Sequence, residues 1–205
     1  MGSDAQADRE PPDTGGVEVV VVRDASAWRS WLDQNEDTSD GIWLLLAKKG
    51  TTTPTSLTYA QALDEALCSG WIDGQSKSVD VATYRQRFTP RRRRSLWSAR
   101  NVGKAGTLIE EGRMRPRGVA EIERAQADGR WDAAYAGAAT IEVPDDLAAA
   151  LDGTAGARTT FDALNAQNRY AVLHRVVTAQ SPQTRRNRID RLVAMLARGE
   201  TPYPQ

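Results

Sequence analysis

The chain has 205 residues, 40% of them hydrophobic, and its 27 Lys and Arg balance 27 Asp and Glu. That supplies a core for one domain or two small ones, while zero net charge suits a nucleic-acid coat poorly, because non-specific affinity grows with the phosphates neutralised. A single cysteine, Cys68, excludes an internal disulfide, and with one histidine, His174, neither a zinc set nor a triad of the usual kind is supported.

The balance hides an asymmetry: acids dominate up to Asp80 and bases from Val81 onward. Residues 1–16 are acidic, lack an apolar signal core and read as a disordered leader. No run approaches the roughly 20 apolar residues of a membrane helix, so a soluble, cytoplasmic protein is expected, with no membrane partner. Val17–Val22 reads as a short buried strand. Asp24 caps a helix whose Trp28, Trp31 and Leu32 share a face. Ile42–Ala47 is a second buried strand. Thr58 with Gln61 forms a capping box, behind which Ala62, Leu63, Ala66 and Leu67 make an apolar stripe; Gly70 ends that helix. Cys68 falls in its last turn, a packing position. Trp71–Ile72 opens a strand. From Tyr84 to Phe88 aromatics alternate with Arg85 and Arg87, so a strand puts rings on one face and guanidiniums on the other. A helix follows Ser98, with Val102, Ala105, Leu108 and Ile109 inward. Another follows Pro116, with Val119, Ile122 and Ala125 inward. Beyond a linker at 137–144 come Asp145–Gly153, a capped helix, two stretches carrying Phe161 with Leu164 and Tyr170 with Leu173 and Val176, and a last helix opened by Ser181-Pro182 and lined by Ile189, Leu192, Val193 and Leu196.

The fold class is therefore α+β: a small mixed β-sheet with packed helices in the N-terminal and central part, and a helical C-terminal part. The boundaries expected are a leader at 1–16, an α+β domain at 17–136, the linker at 137–144, a helical domain at 145–199 and a tail at 200–205.

Chemistry concentrates in Trp71–Asn101. Arg91–Arg94 run into a helix start, where the helix dipole already favours anions over cations. Either they are a solvated basic loop, or an anion sits among them, held by arginine forks and free N–H groups at the helix start. Ser95 and Ser98 are both credible N-caps, and Asn101 lies one turn further in. Asp73 is expected in an ion pair with Arg85 or Arg87, with an acid–base or ligand-orienting role as alternatives. The rings of Trp71, Tyr84, Phe88 and Trp97 read as core rather than as a stacking platform. His174 reads as an ordinary helix histidine, and Arg185, Arg186, Arg188 and Arg191 as a solvated face.

Several strings carry a family resemblance. Trp71–Gly74 (WIDG), Asp80, Tyr84–Arg91, Ser95–Asn101 and Leu108–Met114 resemble the YdeI/OmpD-associated family, and Thr184, Arg185, Arg188, Ile189, Leu196 and Gly199 resemble the end of its bacteriocin-protection domain. The resemblance spans roughly Val17–Gly199. It implies a cytoplasmic protein tied to resistance against cationic antimicrobial peptides or bacteriocins, and to a porin; it carries over no established catalytic residue.

The expected function is a non-enzymatic stress-protection protein that binds a small anionic ligand through Asp73, Arg85, Arg87, Arg91, Ser98 and Asn101, walled by Trp71 and Trp97. No cofactor or metal is expected; a protein partner is compatible with the sequence and nucleic acid is not favoured. The alternatives are an enzyme on a phosphorylated or acyl small molecule using Asp73, and a single-stranded nucleic-acid binder.

Overall fold

Local capping and strand alternation account for most of the elements. The computed structural model of the chain describes residues 19–205, so the expected leader and the first two residues of the expected first strand lie outside it. The fold is α+β. The chain forms two compact units: one holds the residues up to Arg93 together with Leu108–Ile122, the other Arg94–Thr107 with Glu123–Gln205.

In the first unit β1 (Val19–Val20), α1 (Ala25–Asn35), β2 (Ile42–Ala47), α2 (Tyr59–Cys68), β3 (Trp71–Ser78) and β4 (Thr83–Pro90) follow in order. The strands form one mixed sheet, ordered β1-β2-β4-β3, with β1 parallel to β2 and the other pairs antiparallel. The expected buried first strand is among these residues a two-residue edge. Val20 is buried, but Val19 and Val21 are exposed, as alternation on an edge strand allows. By contrast, all six residues of β2 are buried. The Asp24 carboxylate accepts from the Ala27 N–H at 3.0 Å, and Thr58 and Gln61 close their capping box. The core is aromatic: Trp28 stacks on Trp31 at 5.2 Å and meets Phe88 at 5.8 Å and Trp71 at 6.5 Å. Its indole N–H donates to the Ala62 carbonyl at 3.1 Å, so the ring is buried without an unmet donor.

A second tie in this unit is ionic. Glu65, on α2, is 3% exposed. Its carboxylate accepts two hydrogen bonds from Arg29 of α1, at 2.8 and 2.6 Å, and one from Arg113 at 2.8 Å. Arg115 stands 3.6 Å away and also pairs with Asp33 at 2.9 Å. Burial alone would raise the Glu65 carboxyl pKa, but the bonds from Arg29 and Arg113 outweigh it and hold it below the usual carboxylate range. At Cys68, three residues on, the balance is reversed: burial, then the Glu65 charge, outweigh the nearby Arg113, Arg115 and Arg29 and push the thiol up to about 11, which fits the expected packing role.

Arg115 also donates its backbone N–H to the Cys68 carbonyl at 3.1 Å, drawing the start of α4 (Pro116–Ala127) onto the end of α2. The inward residue there is Gly118, because any Cβ would collide with the Cys68 carbonyl oxygen. Val119, expected inward, is therefore exposed, while Ile122 and Ala125 are buried as expected. Ile109, on α3 (Ala99–Glu110), is likewise exposed rather than core.

The second unit is helical. Leu147 and Leu151 of α5 (Asp145–Asp152), Phe161 of α6 (Ala157–Asp162), Val172, Leu173 and Val176 of α7 (Ala166–Val177), and Ile189, Leu192, Val193 and Leu196 of α8 (Pro182–Ala197) form one core, with Ile141 and Val143 packed against it. The side-chain cap expected for α5 is absent, since Pro144 is its N-cap; Asn165 and Ser181 do cap α7 and α8. Residues 201–205 fold back on α7, where buried Asn168 donates to the Tyr203 carbonyl at 3.1 Å and accepts from its N–H at 2.8 Å.

Glu65→Gln is expected to destabilise the protein by about 3 kcal/mol in denaturant unfolding, somewhat less than a fully buried pair would because Arg29 is half in water. With the folded carboxyl held below 4.5, this contribution is complete above pH 4.5 and is lost as pH falls through the folded value. The gap between wild type and variant should close in acid; a gap that stays constant down to low pH would contradict the network.

Candidate functional site

Register decides which side chains meet. Residues directly opposed across an antiparallel ladder share a face. Trp43 opposes Arg87, and Leu45 opposes Arg85, which also opposes Lys77 of β3. These residues form one face of the sheet. Phe88 and Tyr84 belong to the other, in the aromatic core, so the alternation read in Tyr84–Phe88 holds.

On the first face Arg85 is 9% exposed, with its guanidinium carbon 5.0 Å from the centre of the Trp43 ring; the Lys77 ammonium stands 5.4 Å from the same ring. Two glycines lie beside Arg87, and one of them, Gly41, leaves no room for a side chain. Gly74 lies against its stem, with an added Cβ meeting Arg87 Cβ and Cγ at 3.5 Å. Gly41 adopts φ +122°, and a Cβ there would stand 2.6 Å from Thr89 Cγ2, 2.7 Å from the Phe88 carbonyl and 2.9 Å from Arg87 Nη2. Among the described residues no carboxylate pairs with Arg85 or Arg87, and Nη1 of each is buried without a hydrogen-bond acceptor. Burial holds the Arg87 pKa below its ordinary value.

Asp73 is elsewhere. It opposes Phe88, so its side chain belongs to the core face, where it accepts from the Tyr59 hydroxyl at 2.8 Å. The expected ion pair with Arg85 or Arg87 does not form, because the strand's alternation sets carboxylate and guanidiniums on opposite faces. Trp71 is not a wall of the arginine face either. It is fully buried, edge-on to Trp28 and Trp31. Arg91 is buried beyond the end of β4, its N–H bonded to the Gly70 carbonyl at 3.0 Å, while Arg92–Arg94 are exposed.

The remaining expected residues belong to the second unit. Trp97 is buried, edge-on to Trp131 at 4.8 Å. Ser98 caps α3, its hydroxyl accepting from the Asn101 N–H at 3.2 Å, and Asn101 is buried. The Ala99 N–H donates to the Tyr135 carbonyl at 2.9 Å. Two donors at the helix start are thus met within the unit instead of by a ligand. Ser98 has the capping role, not Ser95, whose carbonyl accepts from Arg130 at 2.7 Å. Trp43 and Lys77 escaped the sequence reading. Trp43 looked like one of six equivalent buried strand residues, and only its register against Arg87 separates it from them.

Among the described residues no three His, Cys, Asp or Glu side chains come together to hold a metal, and no helix is long and apolar enough to cross a membrane.

Comparison with known families divides the chain similarly into a sheet-bearing and a helical part. Residues 20–121 match a domain of unknown function, DUF8412, and residues 140–199 match the family described as bacteriocin-protection, YdeI or OmpD-associated. The expected resemblance to the bacteriocin-protection, YdeI or OmpD-associated family is thus borne out over residues 140–199, part of the chain. The WIDG and Tyr84–Arg91 strings lie within the first match, not the second. No curated protein and no solved structure matches the chain.

Gly41→Ala is expected to cost about 1–3 kcal/mol through its left-handed backbone and to displace the Arg87 head. Gly50→Ala, at φ +85° with nothing within 4 Å, is the control that strains the backbone alone. Any anion-dependent stabilisation should fall in the first variant and persist in the second; full persistence in both would contradict the role given to Gly41.

Proposed function

We propose that this chain is a cytoplasmic, non-enzymatic protection protein that binds a small anionic ligand on the Arg85–Arg87 face of its sheet. The observation that carries this reading is the pair of guanidiniums, Arg85 buried and Arg87 half-buried, each with a buried Nη1 that meets no acceptor and no carboxylate among the described residues. Removing a cation from water is costly unless an anion compensates it, and two arginines two residues apart on one strand face present forks to the same acceptor. Lys77 adds a third positive charge to that face, and Trp43 gives it a flat floor. The lowered pKa of Arg87 fits a cation that gains from a counter-charge. The protective role rests on the family of residues 140–199, by its description.

The position of Asp73 favours binding over catalysis, since a carboxylate on the opposite face cannot share one ligand with these arginines. Buried Trp71, Phe88 and Trp97 likewise offer no rings to stacked bases.

Thermal unfolding of the full chain against phosphate, sulfate, nucleotides and a short single-stranded oligonucleotide, at low and high salt, tests the proposal. An anion at a hundred times its Kd adds about 2.7 kcal/mol, or roughly 5–10 °C in Tm for a protein of this size. Arg85→Gln and Arg87→Gln should each abolish most of that shift, while Asp73→Asn leaves it in place. No shift from any small anion, or a shift indifferent to both arginine variants, would defeat the proposal. A shift from the oligonucleotide alone, lost at high salt, would replace it with nucleic-acid binding.

A further inference from the structure

We infer that the cleft between α7 and α8 is a docking site for an acidic peptide segment carrying an apolar anchor residue. The cleft has a volume of about 870 Å³ and lies wholly within the helical unit. Arg175 of α7, Arg188 and Arg191 of α8, and Arg198 just past its end line it, against one acid, Glu200. That acid is already taken, in an ion pair with Arg198 at 2.8 Å. Three arginine charges therefore face the cleft uncompensated.

Their spacing is ordered. Arg188, Arg191, Met195 and Arg198 follow one another at three, four and three residues, so they form a stripe along one side of the helix. Same-sign neighbours at these spacings disfavour an isolated helix, and the stripe gains from an opposite charge laid along it. Two of the heads are positioned in advance. Arg188 donates to the Arg175 carbonyl at 2.6 Å, and the Arg175 guanidinium lies over the Tyr203 ring at 5.9 Å. Arg191 is exposed and makes no hydrogen bond or ion pair with any described residue. His174, also in the cleft, is held edge-on to Tyr135 at 4.8 Å; burial first, then the charges of Arg188 and Arg175, lower its pKa, so it adds little positive charge at neutral pH.

The shape selects the occupant. From Arg188 to Arg198 the stripe runs about 15 Å along the helix axis, too far for one phosphate or carboxylate to span but matched by an extended peptide of about five residues. Leu192 and partly buried Met195 give the cleft an apolar floor, which a polyphosphate backbone cannot use and a leucine or similar side chain can. No Phe, Tyr or Trp lines the cleft to stack a base.

The test is fluorescence anisotropy of the full chain with a labelled peptide of glutamates and aspartates interrupted by leucine. Its comparators are the same peptide with serine for leucine, and an oligothymidylate of equal charge. The leucine peptide should bind most tightly, weaken with salt, and lose about tenfold in affinity in Arg191→Glu. Arg191→Gln, which keeps the polarity without reversing charge, should give a smaller loss. Both variants alter an exposed side chain, and unchanged unfolding curves confirm that the fold is retained. Arg85→Gln should leave this binding unaltered, which separates it from the sheet-face reading. The inference is overturned if the acidic peptide does not bind, if Arg191→Glu binds it as well as wild type, if the serine peptide binds equally, or if the oligothymidylate binds more tightly.

Discussion

A guanidinium taken out of water has to meet an anion, and the sheet-bearing unit answers that demand in two different ways. Around Glu65 the answer is internal. One buried carboxylate is enclosed by Arg29, Arg113 and Arg115, drawing α1, α2 and the approach to α4 together. On the far side of the sheet, Arg85 is buried and Arg87 half-buried, yet no described carboxylate pairs with them. The first arrangement is what an ion network looks like when it serves the fold. The second keeps two cations at a desolvation cost that only the Trp43 ring offsets in part, for Arg85, and a ligand is the economical physical reason for it.

The sheet makes this division possible. Alternation along β4 sends Tyr84 and Phe88 to the core and Arg85 and Arg87 to the opposite face, so packing and charge do not compete for the same side. Gly41 contributes by lacking a side chain where the Arg87 head passes. The glycine that closes WIDG lies in van der Waals reach of the Arg87 stem on the neighbouring strand. The aspartate of the same string faces the other way, bound to Tyr59 at the start of α2.

Much of this was legible from the sequence, and the parts that were share a property: they are local. Asp24, Thr58 with Gln61, and Ser181-Pro182 mark helix starts by residues within one turn of each other. Alternation from Tyr84 to Phe88 needs only five residues to be read. Apart from the missing side-chain cap of α5, the failures are non-local. Whether Asp73 can reach Arg87 depends on the pairing of Asp73 with Phe88, and a shift of one residue would have reversed the answer. Glu65 meets Arg113 across 48 positions in the chain, so no spacing rule finds it. Val119 looked inward by helical periodicity, but Gly118 is the residue that closes on the Cys68 carbonyl, and Val119 beside it is exposed. Trp97, Ser98 and Asn101, expected beside the arginines because they follow them in sequence, belong to the other compact unit.

The central claim is that the Arg85–Arg87 face holds an anion. Its most direct measurement is a crystal structure of the full chain grown with sulfate or phosphate. The account expects an oxyanion within about 3 Å of Nη1 of both arginines, over the Trp43 face. Finding both guanidiniums instead paired with carboxylates of the chain itself, with no anion beside them, would contradict it.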